Sequence, residues 1–171
     1  MSDLMLLANL LGGPKHGYAL KKQVGLLSGQ SEMHNNLVYP LLRRFVKSGW
    51  VSQRKGPGER GQTREIYALT KKGRQELLRR LSHFTGKEAA LENAFHLRVG
   101  LFMVLDTEAR SRILAARDEW LAAREQRLAR ISGALDTGPW GREVVHFLRD
   151  RIRSERQWIF RLKRKLASQG S

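Results

Sequence analysis

One segment restricts the possible fold more than any other: the stretch from about Asn35 to Ser48, which has breaks on both sides. Its apolar residues recur at the three- and four-residue spacing of a helix, and polar residues take the opposite side. Pro40 lies near the first turn, where a missing backbone N–H costs least, and Gly49 follows the last turn. The pattern predicts a helix, which Asn35 or Asn36 can cap, with one apolar stripe (Val38, Leu41, Leu42, Phe45) and one polar stripe (Asn36, Tyr39, Arg43, Lys47).

The segments around this helix give the order of the first half. Residues 4–11 are almost entirely apolar and end at a Gly-Gly-Pro sequence, and a second helix fits Tyr18 to about Leu27. Strand-like runs cover Trp50 to about Lys55 and Arg64 to Leu69, with a glycine-rich loop between them, which predicts a hairpin. Thr70 is placed to cap a further helix. This order predicts a winged helix-turn-helix.

The second half has a helical pattern. It predicts one helix over residues 87–104, a long one from Thr107 to about Leu135, and a last one from about Trp140 to Leu166. In the last helix the apolar residues alternate steps of three and four, although Glu155 fills one expected apolar position. We therefore expect a coiled-coil-like seam between two chains, with these dimerisation residues: Trp120, Leu128, Val145, Leu148, Ile152, Ile159 and Leu162.

The predicted fold is mainly α with a small two-stranded β wing. Residues 1–85 would form the winged helix-turn-helix domain and residues 86–171 a C-terminal α-helical dimerisation domain. The formal net charge is +16. Residues 1–85 carry 15 Lys and Arg against 5 Asp and Glu, a net of +10, and residues 86–171 carry 17 against 11, a net of +6. A charge of this size attracts polyanions, and the excess is larger in the half that carries the predicted helix-turn-helix.

Double-stranded DNA is the polyanion that this fold suits. The third helix can enter the major groove while the hairpin tip contacts an adjacent groove or the backbone. Asparagine can pair with adenine, and lysine and arginine can neutralise phosphates. For Tyr39 we favour a phosphate contact over a buried aromatic role, and for the basic residues DNA contact over a merely solvated face. The predicted DNA-binding residues are Asn35, Asn36, Tyr39, Arg43, Lys47, Arg54, Lys55, Arg60 and Arg64.

Other classes of protein find little support in the sequence. The chain has no cysteine, and its five histidines lack the spacing of metal ligands. We see no paired carboxylates, phosphate loop or nucleophile–base arrangement, so we expect neither an enzyme nor a metal or cofactor site. No stretch approaches the roughly 18 apolar residues that would span a membrane. A cytoplasmic protein without membrane contact is the expectation.

Four motifs in order give a more specific indication. They are Gly13-Pro14-Lys15-His16-Gly17-Tyr18, Tyr39-Pro40, Gly49-Trp50-Val51 and Tyr67-Ala68-Leu69-Thr70-Lys71-Lys72-Gly73. On these residues the sequence resembles the PadR family of transcription regulators. The resemblance implies a DNA-binding head and C-terminal helices that dimerise. Within the first motif we expect a structural role, in which Gly17 allows close packing. It implies repression more often than activation.

The resemblance has two departures. The family usually has a small Ser-x-Gly-Thr-type lead into Tyr-Pro, where this chain has residues 34–38 (His-Asn-Asn-Leu-Val). It also usually has a basic-proline step in the wing, where this chain has Gln62-Thr63. The operator sequence therefore does not carry over.

The leading hypothesis is a ligand-responsive repressor that acts as a homodimer on a palindromic operator. A small aromatic effector would bind near the junction of the two halves. Trp120, Trp140 and Trp158 could stack on such a ligand, although dimer packing is the more frequent use of such residues. The alternative is a basic architectural protein that binds DNA of any sequence.

Overall fold

The computed structural model of the chain describes residues 2–27, 35–57, 63–134 and 138–169. They fall into two compact units, Met1–Leu81 and Ser82–Ser171. The domain boundary predicted between residues 85 and 86 lies close to this division.

The first unit combines four helices with a small sheet. In chain order its elements are α1 (Ser2–Asn9), a 3-10 turn (Leu10–Gly12), β1 (Lys15–His16), α2 (Gly17–Leu27), α3 (Asn35–Lys47), β2 (Val51–Pro57), β3 (Thr63–Leu69) and α4 (Lys71–Ser82). The helix-turn-helix and the hairpin of the wing are present as predicted.

The sheet has three strands and not the two that the sequence predicts. Its order is β1-β3-β2, and both neighbouring pairs are antiparallel. Lys15 pairs with Tyr67 and His16 with Ile66. Because β1 has only two residues, it is too short to show the alternation by which a strand is recognised in a sequence.

The core of the first unit forms where apolar faces meet. Leu6 and Leu7 of α1 are fully buried, and so are Val38, Leu42 and Phe45 of the predicted apolar stripe of α3. Of the polar stripe of α3, Arg43 and Lys47 are exposed and Tyr39 is half-buried.

Thr70 fixes the start of α4 against the end of α3. Its Oγ1 accepts a hydrogen bond from the backbone N–H of Gly73 at 3.0 Å and donates to the carbonyl oxygen of Gly49 at 2.7 Å. The predicted N-cap is confirmed, and its second bond ties α4 to the turn that precedes the wing.

The second unit is helical throughout its described residues. Its elements are α5 (Gly86–Ala89), α6 (Glu92–Gly100), a 3-10 turn (Phe102–Val104), α7 (Thr107–Ala134) and α8 (Gly138–Gln169). The helices predicted from Thr107 and from Trp140 correspond to α7 and α8, which pack side by side and bury Ile113 and Leu121 of α7 and Ile152 and Ile159 of α8.

The single helix predicted over residues 87–104 is wrong. A capping box begins α5: the backbone N–H of Glu88 donates to Oγ1 of Thr85, and the backbone N–H of Thr85 donates to the carboxylate of Glu88. Leu91 then adopts an extended conformation (φ −97°, ψ 106°), so the chain leaves the helix before α6 starts. The apolar spacing continues across these breaks, and for that reason periodicity alone does not reveal them.

Candidate nucleic-acid interface

The exposed side of α3 carries two basic residues that have no carboxylate partner among the described residues. Arg43 and Lys47 are exposed and form no ion pair with another described residue. Arg44, one position on, behaves differently because it lies 3.7 Å from the carboxylate of Asp3 and packs over the ring of Phe45. Arg43 and Lys47 are thus accessible to an external anion.

Asn35 and Asn36 are the first two residues of α3. Their side chains lie outside what the structure describes, and with them the predicted helix cap and adenine contacts.

The wing adds further positive charge. Arg54 and Lys55 are exposed on β2, opposite Ile66 and Glu65 of β3, and neither forms an ion pair with a described residue. Arg64 is half-buried on β3. Arg60 lies outside the described residues. Two exposed cations on a hairpin are suited to neutralising phosphates.

A cavity of about 620 Å³ lies between β1, the start of α2, α3 and β3. It brings together two of the predicted DNA-binding residues, Tyr39 and Arg64, with residues that the prediction leaves out. Its lining consists of His16, Gly17, Tyr18, Tyr39, Arg64, Glu65 and Tyr67.

Gly17 makes room for two of the rings in this cavity. A Cβ atom at this position would lie 3.0 Å from Cε1 of Tyr39 and 3.4 Å from Cε2 of Tyr67. The close packing expected at Gly17 is therefore confirmed.

The surroundings of Tyr67 favour the protonated form of its hydroxyl. Burial raises the pKa of Tyr67, and the charge of Glu65 and the neighbouring Tyr39 raise it further, against an opposing contribution from Arg43. A phenol with a raised pKa remains neutral at physiological pH and acts as a hydrogen-bond donor.

The residues predicted for dimerisation lie on α7 and α8. Val145, Ile152 and Ile159 are buried within the second unit of a single chain, with 8%, 3% and 0% of their surface exposed. Leu128, Leu148 and Leu162 are half-buried, and Trp120 packs against the guanidinium groups of Arg117 and Arg124. Their part in a dimer stays a prediction.

Other large apolar side chains of α8 are more exposed than this set. They are Trp140 (83%), Val144 (57%), Phe147 (61%) and Phe160 (61%).

The part of the chain that the structure describes contains no helix long and apolar enough to cross a membrane. It also contains no group of three His, Asp or Glu residues placed to hold a metal ion.

The order of helices and the three-stranded sheet make the first unit a winged helix-turn-helix domain, with its basic side on α3 and the wing. Residues 5–79 match the transcriptional regulator PadR-like family. The chain therefore contains a domain of the PadR-like family of transcriptional regulators, and the resemblance stated from its motifs is confirmed.

Solved structures of such regulators are similar to the chain. Bacillus subtilis PadR in complex with operator DNA is 19% identical, with a TM-score of 0.46, over 96% of this chain and 98% of that one. A transcriptional regulator of Thermoplasma acidophilum is 27% identical, with a TM-score of 0.43, over 61% and 93%. A PadR family regulator of Eggerthella lenta is 29% identical, with a TM-score of 0.39, over 44% and 63%. No curated protein matches significantly.

Proposed function

We propose that the chain regulates transcription by binding duplex DNA with α3 in the major groove and the β2–β3 hairpin against the backbone. The observation that carries this proposal is the pair of exposed cations on α3, Arg43 and Lys47, which have no carboxylate partner among the described residues. An arginine on a groove-reading helix can bond two atoms of guanine, and a lysine can neutralise a phosphate.

The experiment first enriches binding sequences from a pool of random duplexes and then measures the affinity of the best one. Arg43→Ala should weaken binding by about tenfold or more, since one bidentate base contact contributes roughly 1–3 kcal/mol. Arg164→Ala is the matched control, because Arg164 of α8 is also exposed and forms no ion pair with a described residue. Equal affinity of the two variants would contradict the assignment of α3 as the reading helix.

The net charge of +16 supports a second candidate, a basic architectural protein that binds any sequence. Competition by bulk genomic DNA distinguishes the two. A regulator should keep a preference of about a thousandfold or more for its site, whereas an architectural protein should lose its labelled duplex to the competitor.

We further propose that the regulator is a repressor, that it acts as a homodimer on a palindromic operator, and that it has no enzymatic activity. Two copies related by a twofold axis would place their α3 helices on half-sites about one helical turn apart. Large exposed apolar side chains on α8 support the association of two chains. Repression is tested by transcription from a promoter that carries the enriched sequence.

The proposed effector is a small aromatic molecule. A cavity of about 390 Å³ in the second unit supports this proposal, since it is lined by Trp158 and His96 together with Arg151 and Arg161. Rings of this kind stack on planar ligands. Aromatic compounds would be tested for quenching of tryptophan fluorescence and for release of bound DNA. Trp158→Leu should abolish both effects if the ligand stacks there.

A further inference from the structure

The chain has three tyrosines, and all three line the cavity between β1, α2, α3 and β3. Tyr18 is exposed at the start of α2, Tyr39 is half-buried on α3, and Tyr67 is buried on β3 with 6% of its surface exposed. They come from three separate elements, so the fold alone brings them together. None of their hydroxyls has a hydrogen-bond partner among the described residues.

We propose that this cavity holds a phosphoryl group of the DNA backbone, bound by the tyrosine hydroxyls and Arg64. The inference rests on the proposed function and adds to it a positioning site that does not read bases. Neutral O–H groups and a guanidinium are the donors that bind phosphate oxygens in protein–DNA complexes. The buried Nδ1 of His16, which has no partner among the described residues, is a further polar atom at this cavity.

The location of the cavity favours the DNA backbone as the source of the phosphoryl group. Tyr39 lies on the polar stripe of α3 four residues before Arg43, and its ring meets that of Tyr67 at Gly17. A duplex that Arg43 contacts would therefore run close to Tyr39, which shares the cavity with Tyr18 and Tyr67. The binding of α3 would bring a backbone phosphate to the cavity at high local concentration.

Glu65 distinguishes a DNA phosphate from free phosphate. Its carboxylate lines the same cavity and repels an anion there, and free phosphate lacks the other contacts that hold a docked duplex in place. Its charge also helps to keep Tyr67 protonated. We therefore expect the cavity to bind phosphate that is attached to a docked duplex and not inorganic phosphate alone.

Substitution of single hydroxyls tests the site. Tyr67→Phe keeps the ring and its packing but removes the donor, and it should weaken DNA binding by about tenfold, because hydrogen bonds to charged groups contribute roughly 1.5–3 kcal/mol. The loss should be the same for the enriched sequence and for random duplex DNA, since a phosphate contact carries no sequence information. Ser111→Ala, which removes an exposed hydroxyl from α7, is the control and should change neither affinity.

Glu65→Gln provides a test of opposite sign. Removal of the carboxylate should tighten DNA binding more than Glu143→Gln does, which removes an equal charge from an exposed position on α8. Equal effects of the two variants would overturn the proposal that phosphate enters this cavity.

A direct readout uses protein labelled with fluorotyrosine, which gives three ¹⁹F resonances that Tyr→Phe variants assign. Duplex DNA should shift all three, and inorganic phosphate should shift none. Shifts with phosphate alone would overturn the DNA backbone as the source. If DNA binds but Tyr67→Phe has full affinity and the resonances do not move, this site is wrong and the proposed function stands. Absence of DNA binding even at low salt would overturn both.

Discussion

At the scale of single residues, Glu155 explains an irregularity in the sequence of α8. It occupies a position where the heptad pattern calls for an apolar residue, and in the structure its carboxylate bonds the buried guanidinium of Arg117 through two contacts of 2.7 and 2.9 Å. Arg117 also donates to the carbonyl oxygen of Ala89 at 2.6 Å and packs against the rings of Phe95 and Trp120. The acidic residue is thus placed where it neutralises a charge inside the second unit.

Glu155→Ala should destabilise the chain by about 3 kcal/mol, because it leaves a buried guanidinium without its counter-charge. Chemical denaturation measures this difference. The double variant Arg117→Met with Glu155→Leu should lose less stability than Glu155→Ala alone, since it removes both charges and retains most of the volume of the two side chains. A double variant that is less stable than Glu155→Ala would show that the hydrogen bonds Arg117 keeps in that single variant contribute more to stability than its ion pair with Glu155.

Acid stability depends on Glu76 of α4. A hydrogen bond from Arg79 lowers the pKa of Glu76, and a hydrogen bond from Arg80 and the charge of Arg80 lower it further. Burial opposes this shift, and the pKa falls from 4.5 to about 2. A carboxylate with a lowered folded-state pKa contributes stability above its unfolded pKa and loses it as pH falls through the folded pKa. The stabilisation that ionised Glu76 gives the folded chain should therefore be complete above pH 4.5 and disappear towards pH 2.

We expect this loss to amount to about 1 kcal/mol, because Arg79 is exposed and solvent screens the pair. The difference in unfolding free energy between the chain and Glu76→Gln, measured across this pH window, gives its size. A constant difference down to pH 2 would mean that the ion pairs of Glu76 are not formed in solution.

At the scale of elements, the contact between α4 and the start of β2 requires a glycine in the middle of a helix. A Cβ at Gly73 would lie 1.9 Å from the carbonyl oxygen of Trp50 and 2.7 Å from its carbon. A side chain there would push α4 away from the turn that Thr70 fixes, although alanine is the better helix former.

Gly73→Ala should therefore destabilise the first unit by about 2 kcal/mol or more, as in overpacked cores. Gly100→Ala is the matched control, because a Cβ at that helical glycine meets nothing within 4 Å. Thermal unfolding followed by circular dichroism compares the two. Similar melting temperatures for both variants would show that α4 can shift without loss of packing.

The elements also show what can be predicted from the sequence. The helix-turn-helix, the hairpin, α7 and α8 follow from periodicity and break residues, because each is long enough to repeat its pattern. β1 depends on pairing with β3, the start of α5 on the cap of Thr85, and the break before α6 on the extended backbone of Leu91, and none of these changes the apolar spacing. The tyrosine cavity joins residues far apart in the sequence, so only the tertiary fold reveals Tyr67 beside Tyr39.

At the scale of the whole molecule, the proposed dimer needs apolar surface that one chain leaves uncovered. Val145, Ile152 and Ile159 are already buried in a single chain, so they stabilise the second unit before any partner binds. Trp140, Val144 and Phe147 are exposed and recur at the spacing of one side of a helix. Phe160 is equally exposed, but the helical periodicity places it on a different side of α8.

Trp140→Glu combined with Phe147→Glu should therefore convert the dimer to a folded monomer, which sedimentation velocity and circular dichroism would detect. Phe160→Glu is the control and should remain dimeric with the same helical content. The monomer should bind a half-site with unchanged affinity and lose its advantage on the palindrome, because only a linked pair of heads gains from two adjacent sites. A double variant that stays dimeric would show that the interface does not include this end of α8. Loss of the dimer in Phe160→Glu alone would show that the interface lies on the side of α8 that carries Phe160.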